Sequence, residues 1–225
     1  MTAAAEFRAV SKIYGRFAAL RNLSVSFREG SCGLILGANG AGKSTLLRLA
    51  AGLASPTRGE VRVFDTPPAR QRGRVAYMSH ASMLYDELSA MENLRYFASL
   101  AVGAGCDCVG SPEMAMRAVG LDPALRRPVG EYSQGMRQRT SFARVLQADP
   151  ELLLLDEPFS NMDAASVEQM VALLADFRTW PVEGGGSRTI LLTTHQVHLA
   201  MPLADHVVTL ENGEIVAAEM TGAIS

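Results

Sequence analysis

Residues 37–45 read Gly37-Ala-Asn-Gly-Ala-Gly-Lys-Ser-Thr45 and fit the pattern GxxxxGK(S/T). The apolar residues 33–36 predict a short buried strand before this segment, and the leucines in 43–51 predict a helix after it. Glycines let successive backbone N–H groups point inward around a phosphate, and the helix N-terminus adds the positive end of its dipole. Strand, turn and helix together predict a phosphate-binding loop. The alternative, an ordinary glycine-rich turn, is disfavoured because both flanking elements have the required pattern.

The phosphate-binding loop supplies the first candidate site residues. Lys43 is expected to reach the terminal phosphates of a nucleotide, which makes it a candidate catalytic residue. The Ser44 hydroxyl is expected to ligate Mg²⁺. The candidate nucleotide-binding residues of the loop are Gly37, Ala38, Asn39, Gly40, Ala41, Gly42, Lys43, Ser44 and Thr45.

Two acidic residues follow a second apolar stretch. Residues 152–158 read Leu-Leu-Leu-Leu-Asp-Glu-Pro, and the four leucines predict a strand buried on both faces. Functional groups of parallel sheets collect where the strands end. Asp156 is therefore a candidate for the Mg²⁺ shell, and Glu157 is a candidate base for the water that attacks the phosphate. A strand ending in Asp-Glu is common by itself, but its combination with the phosphate-binding loop indicates nucleotide chemistry.

Composition excludes several classes of protein. The chain has 225 residues, 48% hydrophobic and 20% charged, as in an ordinary folded domain. Its 21 basic and 23 acidic residues give a net charge of −2, so we expect no nucleic-acid partner. No apolar run approaches the ~20 residues needed to cross a bilayer, so no membrane span is expected. Three cysteines, Cys32, Cys106 and Cys108, cannot form a disulfide framework, and metal binding by the last two is disfavoured.

The periodicity of the chain changes twice. Residues 1–36 alternate like strands, 82–149 have helical periodicity, and strand signals return after 150. We predict further strands at 60–64, 74–78, 152–155, 189–193 and 207–210, and helices at 88–100, 112–119, 134–147, 164–177 and 196–203. This alternation predicts an α/β core with a mostly parallel sheet, interrupted by a helical insertion.

In their order along the chain, these motifs resemble those of the ATP-binding subunits of ABC transporters, and the resemblance covers nearly the whole sequence. It implies a single domain, 1–225, with a P-loop NTPase core, an N-terminal antiparallel β subdomain and an inserted α-helical subdomain. The core would comprise 1–81 and 150–225, and the helical subdomain 82–149. The implied activity is ATP hydrolysis with ATP and Mg²⁺. The implied partners are transmembrane permease subunits and a second ATP-binding subunit, identical or related.

A signature loop in the helical subdomain carries part of this resemblance. Tyr132-Ser-Gln-Gly-Met136 departs from the family's Leu-Ser-Gly-Gly-Gln in three of five places but keeps Ser133 and Gly135. In the family, two copies sandwich ATP, and the signature loop of one copy faces the phosphate-binding loop of the other. The resemblance therefore implies that Ser133 and Gly135 contact the nucleotide bound by the partner subunit.

Three further positions match nucleotide-contacting residues of the family. Tyr14 matches the aromatic residue that stacks on adenine, and His195 matches the histidine that contacts the γ-phosphate, so the implied catalytic residues are Glu157, His195 and Lys43. His80 stands where most members have a glutamine that touches Mg²⁺ and water. Imidazole is a poorer Mg²⁺ partner than an amide oxygen. We hypothesise that His80 fills the glutamine's place and makes turnover more pH-sensitive. The alternative is that His80 only packs against or caps its loop.

Finer resemblances concern the transported substrate. His80, the segment Asp156-Glu-Pro-Phe159 and the segment Thr193-Thr-His-Gln196 look like those of the haem-exporter subunits of cytochrome c biogenesis. Drug and lipid exporters share part of this pattern and are the first alternative. A soluble, non-transport ABC ATPase is a less favoured one.

The resemblance also implies where the chain acts. It would lie on the cytoplasmic, inner face of the cell membrane, held there by its partner subunits. The docking surface would be apolar and exposed and would run from about His80 to Phe97, including Met83, Leu84, Tyr85 and Leu88. The alternative for some of these residues is packing within the core of the helical insertion.

Overall fold

The computed structural model describes residues 2–103, 110–182 and 185–221, so Cys106 and Cys108 lie outside the described residues. The strands are β1 (Ala3–Tyr14), β2 (Phe17–Arg28), β3 (Cys32–Leu36), β4 (Arg58–Val63), β5 (Val75–Met78), β6 (Leu152–Asp156), β7 (Thr189–Thr193), β8 (His206–Glu211) and β9 (Glu214–Met220). The α-helices are α1 (Lys43–Ala50), α2 (Ala90–Gly103), α3 (Pro112–Ala118), α4 (Gln134–Leu146), α5 (Ala164–Thr179) and α6 (Val197–Ala200).

The strands form two sheets. In the first, β1 pairs antiparallel with both β2 and β4. The second has six strands in the order β5-β6-β7-β3-β8-β9, and all neighbours are parallel except β8 and β9. Helices α2 to α4 are inserted in the chain between β5 and β6. The predicted fold class is thereby confirmed: an α/β core with a mostly parallel sheet, an N-terminal antiparallel sheet and a helical insertion.

Both faces of the six-stranded sheet are covered, which explains the unbroken leucines of β6. Leu152 and Leu154 pack with α1 and the three-stranded sheet, whereas Leu153 and Leu155 pack with residues from α2 to α5. All four side chains are fully buried. A parallel strand buried on both faces needs apolar residues at every position. The strand therefore forms a rigid support for the two acidic residues at its end.

Two helices depart from their predicted bounds for identifiable reasons. α2 begins at Ala90 rather than at Leu88 because Ser89 and Glu92 form a capping box: the Glu92 carboxylate accepts hydrogen bonds from the Ser89 N–H and hydroxyl, at 2.8 and 2.6 Å. The helix predicted at 196–203 is divided into α6 and a tighter turn at Met201–Leu203. Pro202 lacks the backbone N–H that a continuing α-helix needs there.

The sheet order places the functional segments at one edge. β3 and β6 both pair with β7, so the carboxyl ends of these three strands lie side by side, with Asp156 opposite Thr193 and Ile35 opposite the same threonine. The phosphate-binding loop leaves β3 at this edge and enters α1. Ligand sites of parallel sheets form at such an edge because the connecting loops converge there.

Candidate active site

Two glycines of the phosphate-binding loop have positions that no other residue fits. Gly37 has φ 143° and Gly42 has φ 108°, both in the region that favours glycine. A Cβ on Gly42 would lie 2.6 Å from the Ala19 carbonyl oxygen, and one on Gly37 would collide with the Leu210 carbonyl oxygen. Gly42 also precedes α1 as its N-cap. The glycines therefore let the loop pack closely against β2 and β8 while its backbone turns into the helix.

The loop borders an open cavity of about 450 Å³. Residues of four other segments complete the lining: Phe17 and Ala19 from β2, the loop Ser79 to Ala81 after β5, Asp156 and Glu157 at the end of β6, and His195 after β7. From the loop and α1 the lining includes 39–45 and Arg48. The structure thus brings together residues 39–45 of the predicted loop, both acids, His80 and His195.

Lys43 is held against its own loop. Its side chain is buried, and Nζ donates to the carbonyl oxygens of Gly37 at 2.8 Å and Ala38 at 3.2 Å. These two acceptors satisfy part of the hydrogen-bonding capacity of the buried ammonium. The result is a fixed cation beside the backbone N–H groups of the loop, which is the charge pattern that a phosphate chain requires.

Asp156 is the most heavily hydrogen-bonded side chain of the site. Its buried carboxylate accepts from three hydroxyls: Ser44 and Thr193 donate to Oδ1 at 2.9 and 3.0 Å, and Tyr77 donates to Oδ2 at 3.0 Å. Burial, followed by the charge of Asp156, raises the pKa of Tyr77 to about 12. The phenol is therefore protonated at neutral pH and serves as a donor.

Glu157 is held in an uncommon backbone conformation. Its φ is +55°, which costs a non-glycine residue about 1–3 kcal/mol and persists only where neighbours enforce it. Thr193 does so, since the Glu157 N–H donates to its hydroxyl at 3.0 Å and to its carbonyl oxygen at 3.2 Å. The Glu157 side chain is 15% exposed and lines the cavity. One carboxylate oxygen accepts from the His195 N–H at 3.0 Å.

The His195 ring lies between Glu157 and the phosphate-binding loop. Nε2 is 2.9 Å from Asn39 Oδ1 and 3.4 Å from Glu157 Oε1. Because both neighbours are acceptors, the proton is best placed on Nε2. The side chain remains half exposed, so it can turn toward a phosphate bound on the loop.

Besides Gly37 and Ala38, whose carbonyl oxygens accept from Lys43, three predicted site residues lie outside this cavity. The Tyr14 ring is 45% exposed, with Lys12 Nζ 4.8 Å from its centroid, whereas Phe17 lines the cavity. Ser133 is the N-cap of α4, and its hydroxyl accepts from the Met136 N–H at 3.2 Å. Gly135 is buried, and a Cβ there would collide with Ser166 at the start of α5. Within this chain, the missing side chain of Gly135 therefore lets the start of α4 pack closely against α5.

Four residues of the site escaped sequence reasoning: Phe17, Arg48, Tyr77 and Thr193. Thr193 could have been found, because a strand predicted at 189–193 that pairs in parallel with β6 places its last residue beside Asp156. Arg48 lies one helical turn after Ser44, a spacing that puts both on one face of α1. Tyr77 and Phe17 carry no such signal, because their roles depend on how the sheets pack.

A phosphate-binding loop at a helix N-terminus, a hydroxyl-bonded aspartate and an adjacent glutamate define a nucleoside triphosphatase of the P-loop class. A family model described as ABC transporter matches residues 20–160. The chain belongs to the ABC transporter family, as an ATP-binding ATPase domain. Within the described residues, no helix has the length and apolar character needed to cross a membrane.

Named relatives support this assignment. A fluoroquinolones export ATP-binding protein of Mycobacterium tuberculosis is 37% identical over 205 residues, which cover 89% of this chain and 65% of the relative. A maltose/maltodextrin import ATP-binding protein of Photorhabdus laumondii is 34% identical, covering 92% and 55%, and the ABC transporter ATP-binding protein NatA of Bacillus subtilis is 32% identical, covering 88% and 80%. The chain therefore spans just under two thirds of the length of the mycobacterial relative.

Solved structures agree with the fold. A dimeric ATP-binding cassette, MJ0796, with bound ADP and Pi superimposes with a TM-score of 0.83 at 24% identity, covering 98% of this chain and all of the other. An ATP-binding subunit of an ABC transporter superimposes with a TM-score of 0.78 at 28% identity, covering 97% and 90%.

Proposed function

We propose that this chain binds and hydrolyses ATP as one half of a head-to-tail dimer and thereby drives export through transmembrane permease subunits. The observation that carries the proposal is the position of Glu157, which lines the same cavity as the phosphate-binding loop and directly follows the hydroxyl-bonded Asp156.

The loop suits a triphosphate, and the oxygen groups beside it suit Mg²⁺. Residues 37–45 supply backbone N–H groups, and Lys43 supplies a cation close to the expected position of the terminal phosphates. Mg²⁺ prefers hard oxygen ligands and usually takes one or two from the protein, with waters and phosphates completing its shell. The Ser44 hydroxyl and the Asp156 carboxylate, 2.9 Å apart, fit that donor set. When bound, Mg²⁺ would neutralise charge on the phosphates.

Glu157 is the proposed general base. Its side chain is 15% exposed and lines the cavity, so the carboxylate is placed to accept a proton from a water bound there. His195 is proposed to donate from Nε2 to the γ-phosphate, leaving Asn39 as it does so. His80 lines the cavity, and both its role in the place of the family's glutamine and its effect on the pH dependence of turnover stay predictions.

The proposed dimer follows from what the cavity lacks. Ser133 is exposed and lies outside the cavity of its own chain. The N-terminus of α4, which Ser133 caps, has the positive end of a helix dipole, which attracts a phosphate. We propose that Ser133 and the Gly135 backbone close over a nucleotide held by the second copy. Adenine would stack at the mouth of the cavity on Tyr14 or Phe17.

The proposed docking surface for the membrane partner lies beside α2. Met83 and Tyr85 are 60% and 47% exposed, and the Tyr85 ring packs edge-on against Tyr96 with centroids 5.1 Å apart. Leu84 packs against the core instead. An exposed patch of large apolar side chains suits a protein partner. Through that partner the chain would lie on the inner face of the cell membrane.

Export is the proposed direction, and haem the proposed cargo class. Export is supported by the mycobacterial relative, which is named for fluoroquinolone export, although another relative is named for maltose import. The haem type rests on His80 and the segments around Asp156 and Thr193 alone. Drug or lipid export is the alternative cargo class, and a non-transport ATPase is the less favoured alternative.

The experiment that tests the proposal compares wild type with Glu157→Gln in Mg-ATP, by phosphate release and size-exclusion chromatography. Wild type is expected to hydrolyse ATP. The variant keeps the shape of the side chain but loses the base, so turnover should fall by about 10²-fold or more while ATP binding and the dimer persist. Unimpaired hydrolysis by Glu157→Gln would remove the role given to Glu157.

A further inference from the structure

We propose that Tyr77 is a positioning residue for the metal-binding carboxylate: its hydroxyl holds Asp156 Oδ2 and so keeps Oδ1 oriented toward Ser44, where Mg²⁺ would bind. The proposal deepens the function proposed above and rests on the same metal site. Nothing in the motifs of the sequence assigns a role to this tyrosine.

The distribution of donors around Asp156 carries the argument. Two hydroxyls, those of Ser44 and Thr193, bond to Oδ1, whereas Oδ2 accepts from Tyr77. Ser44 is itself a candidate metal ligand, so its hydroxyl oxygen has to turn to the ion when the ion is bound. The carboxylate plane is then held by Thr193 at one oxygen and by Tyr77 at the other. Without the phenol, Oδ2 loses its anchor and the carboxylate can rotate.

Arg48 explains why the phenol donates in this direction. The guanidinium interacts with the Tyr77 phenol, and this interaction is the largest cause of a raised pKa at Arg48. Arginine is a donor only. A cation near the phenol favours the orientation in which the hydroxyl hydrogen points away from it and toward Asp156. Since Arg48 and Ser44 lie on one face of α1, the same helix holds both the metal-side hydroxyl and the group that orients the tyrosine.

The strand context makes Tyr77 a fixed support. Tyr77 pairs with Leu154 in β6, so its backbone is hydrogen-bonded to the strand that ends in Asp156. Its side chain packs on the α1 face of the sheet. A phenylalanine would fill the same space without the donor. Partners that orient metal ligands in this way typically change metal affinity by about 10–100-fold when removed.

The test is the Tyr77→Phe variant. The quantity measured is the Mg²⁺ concentration that gives half of the maximal effect on ATP hydrolysis or on ATP binding. Two readouts are used: ATP hydrolysis at saturating ATP, and calorimetric ATP affinity titrated with Mg²⁺ and repeated in EDTA. We expect the half-saturating Mg²⁺ concentration to rise by about tenfold or more, with ATP affinity in EDTA and thermal stability close to wild type. The calorimetric readout does not require hydrolysis, so it tests Tyr77 even if Glu157→Gln contradicts the catalytic role of Glu157.

Matched variants separate positioning from packing. Tyr96→Phe removes a hydroxyl from a 40% exposed ring on α2 and should leave the Mg²⁺ dependence unchanged. Arg48→Leu should shift the Mg²⁺ dependence in the same direction as Tyr77→Phe, and Arg48→Lys, which keeps a donor, should restore most of it. A Tyr77→Phe half-saturation within twofold of wild type would overturn the proposal. So would an equal loss of ATP affinity with and without Mg²⁺, since that is the signature of a packing role.

Discussion

The two ends of the proposed ATP site are built differently. At the phosphate-binding end, Asp156, Glu157 and His195 are each hydrogen-bonded to residues of other segments, so that β6, β7, α1 and the loop lock one another in place. At the signature end, Ser133 bonds to the first turn of its own helix, and Gly135 packs against the start of α5. The first end is cross-linked, by hydrogen bonds between segments of one chain. The second end is an exposed helix N-terminus.

This difference indicates which part of a complete ATP site each of two copies supplies. The cross-linked end is preorganised, so a single chain should bind nucleotide without large rearrangement. At the exposed end, Ser133 and Gly135 line no part of the ATP cavity of their own chain, and the N-terminus of α4 offers a positive dipole, so this end can act only on a nucleotide brought by another molecule. A mutation at either end should therefore abolish ATP hydrolysis by itself. A second chain in which that end is intact should restore it.

The largest expected effect is complementation between two inactive variants. Lys43→Ala removes the cation of the phosphate-binding end, and Ser133→Arg blocks the signature end, so each homodimer should lose hydrolysis by about 10²-fold or more. In an equal mixture, the heterodimer keeps one intact site, formed by Lys43 of one chain and Ser133 of the other. Random pairing should restore up to about a quarter of wild-type phosphate release.

The control for complementation is a mixture of Lys43→Ala with the Lys43→Ala, Ser133→Arg double variant, which contains no intact site and should stay inactive. Calorimetry should show that Ser133→Arg alone still binds ATP. If the complementing mixture is as inactive as its components, the signature end does not act on a second copy of this chain.

Much of the phosphate-binding end was accessible from sequence because its chemistry is local. The loop, Lys43 and Ser44 lie in nine consecutive residues, and Asp156 and Glu157 are adjacent at the end of a leucine strand. Site residues in such short-range patterns can be predicted once the strands and helices around them are correctly assigned. Parallel pairing then brings the two segments to one edge, as the structure shows.

The contacts that support these residues were not accessible, because they depend on side-chain packing between distant segments. The Tyr77 hydroxyl reaches Asp156 across 79 positions of sequence, and the Asn39 amide reaches His195 across 156. The aromatic position at the cavity shows the same limit. Sequence resemblance selects Tyr14, and only the structure reveals that Phe17, on the other side of the turn between β1 and β2, lines the cavity.

A smaller effect should follow from removing one supporting hydroxyl at the cross-linked end while Asp156 and Glu157 are kept. Thr193→Val keeps the shape of a fully buried side chain but removes the hydroxyl that joins Asp156 to the Glu157 N–H. We expect the free energy of unfolding to fall by about 1–3 kcal/mol, because buried polar groups lose a partner. Hydrolysis should fall by about tenfold or more as Glu157 loses its position. Urea unfolding and phosphate release measure the two effects.

The matched control lies on the same strand. Thr189 is equally buried, and its hydroxyl accepts from the Gly30 N–H at 3.0 Å, at the opposite end of β7. Thr189→Val should cost similar stability but leave hydrolysis near wild type. Equal losses of activity in both variants would show that the network around Asp156 is no more than part of the general packing.

The smallest expected effect separates global stability from the site. His206 pairs with Gly33 at the amino end of β3, the edge of the sheet opposite the cavity, and its ring lies 5.3 Å from that of Phe27. Burial, and then the charge of Arg28, lowers the pKa of His206. Because the unfolded chain then binds more protons, stability is lost as pH falls below the ordinary histidine pKa of about 6.5.

His206→Phe keeps a ring against Phe27 and cannot titrate, so urea unfolding should show a smaller loss of stability between about pH 7.5 and about pH 5.5 than in wild type. ATP affinity at neutral pH should be unchanged. An identical loss in both proteins would show that His206 does not couple protonation to folding, and a change in ATP affinity would show that the two edges of the sheet are not independent.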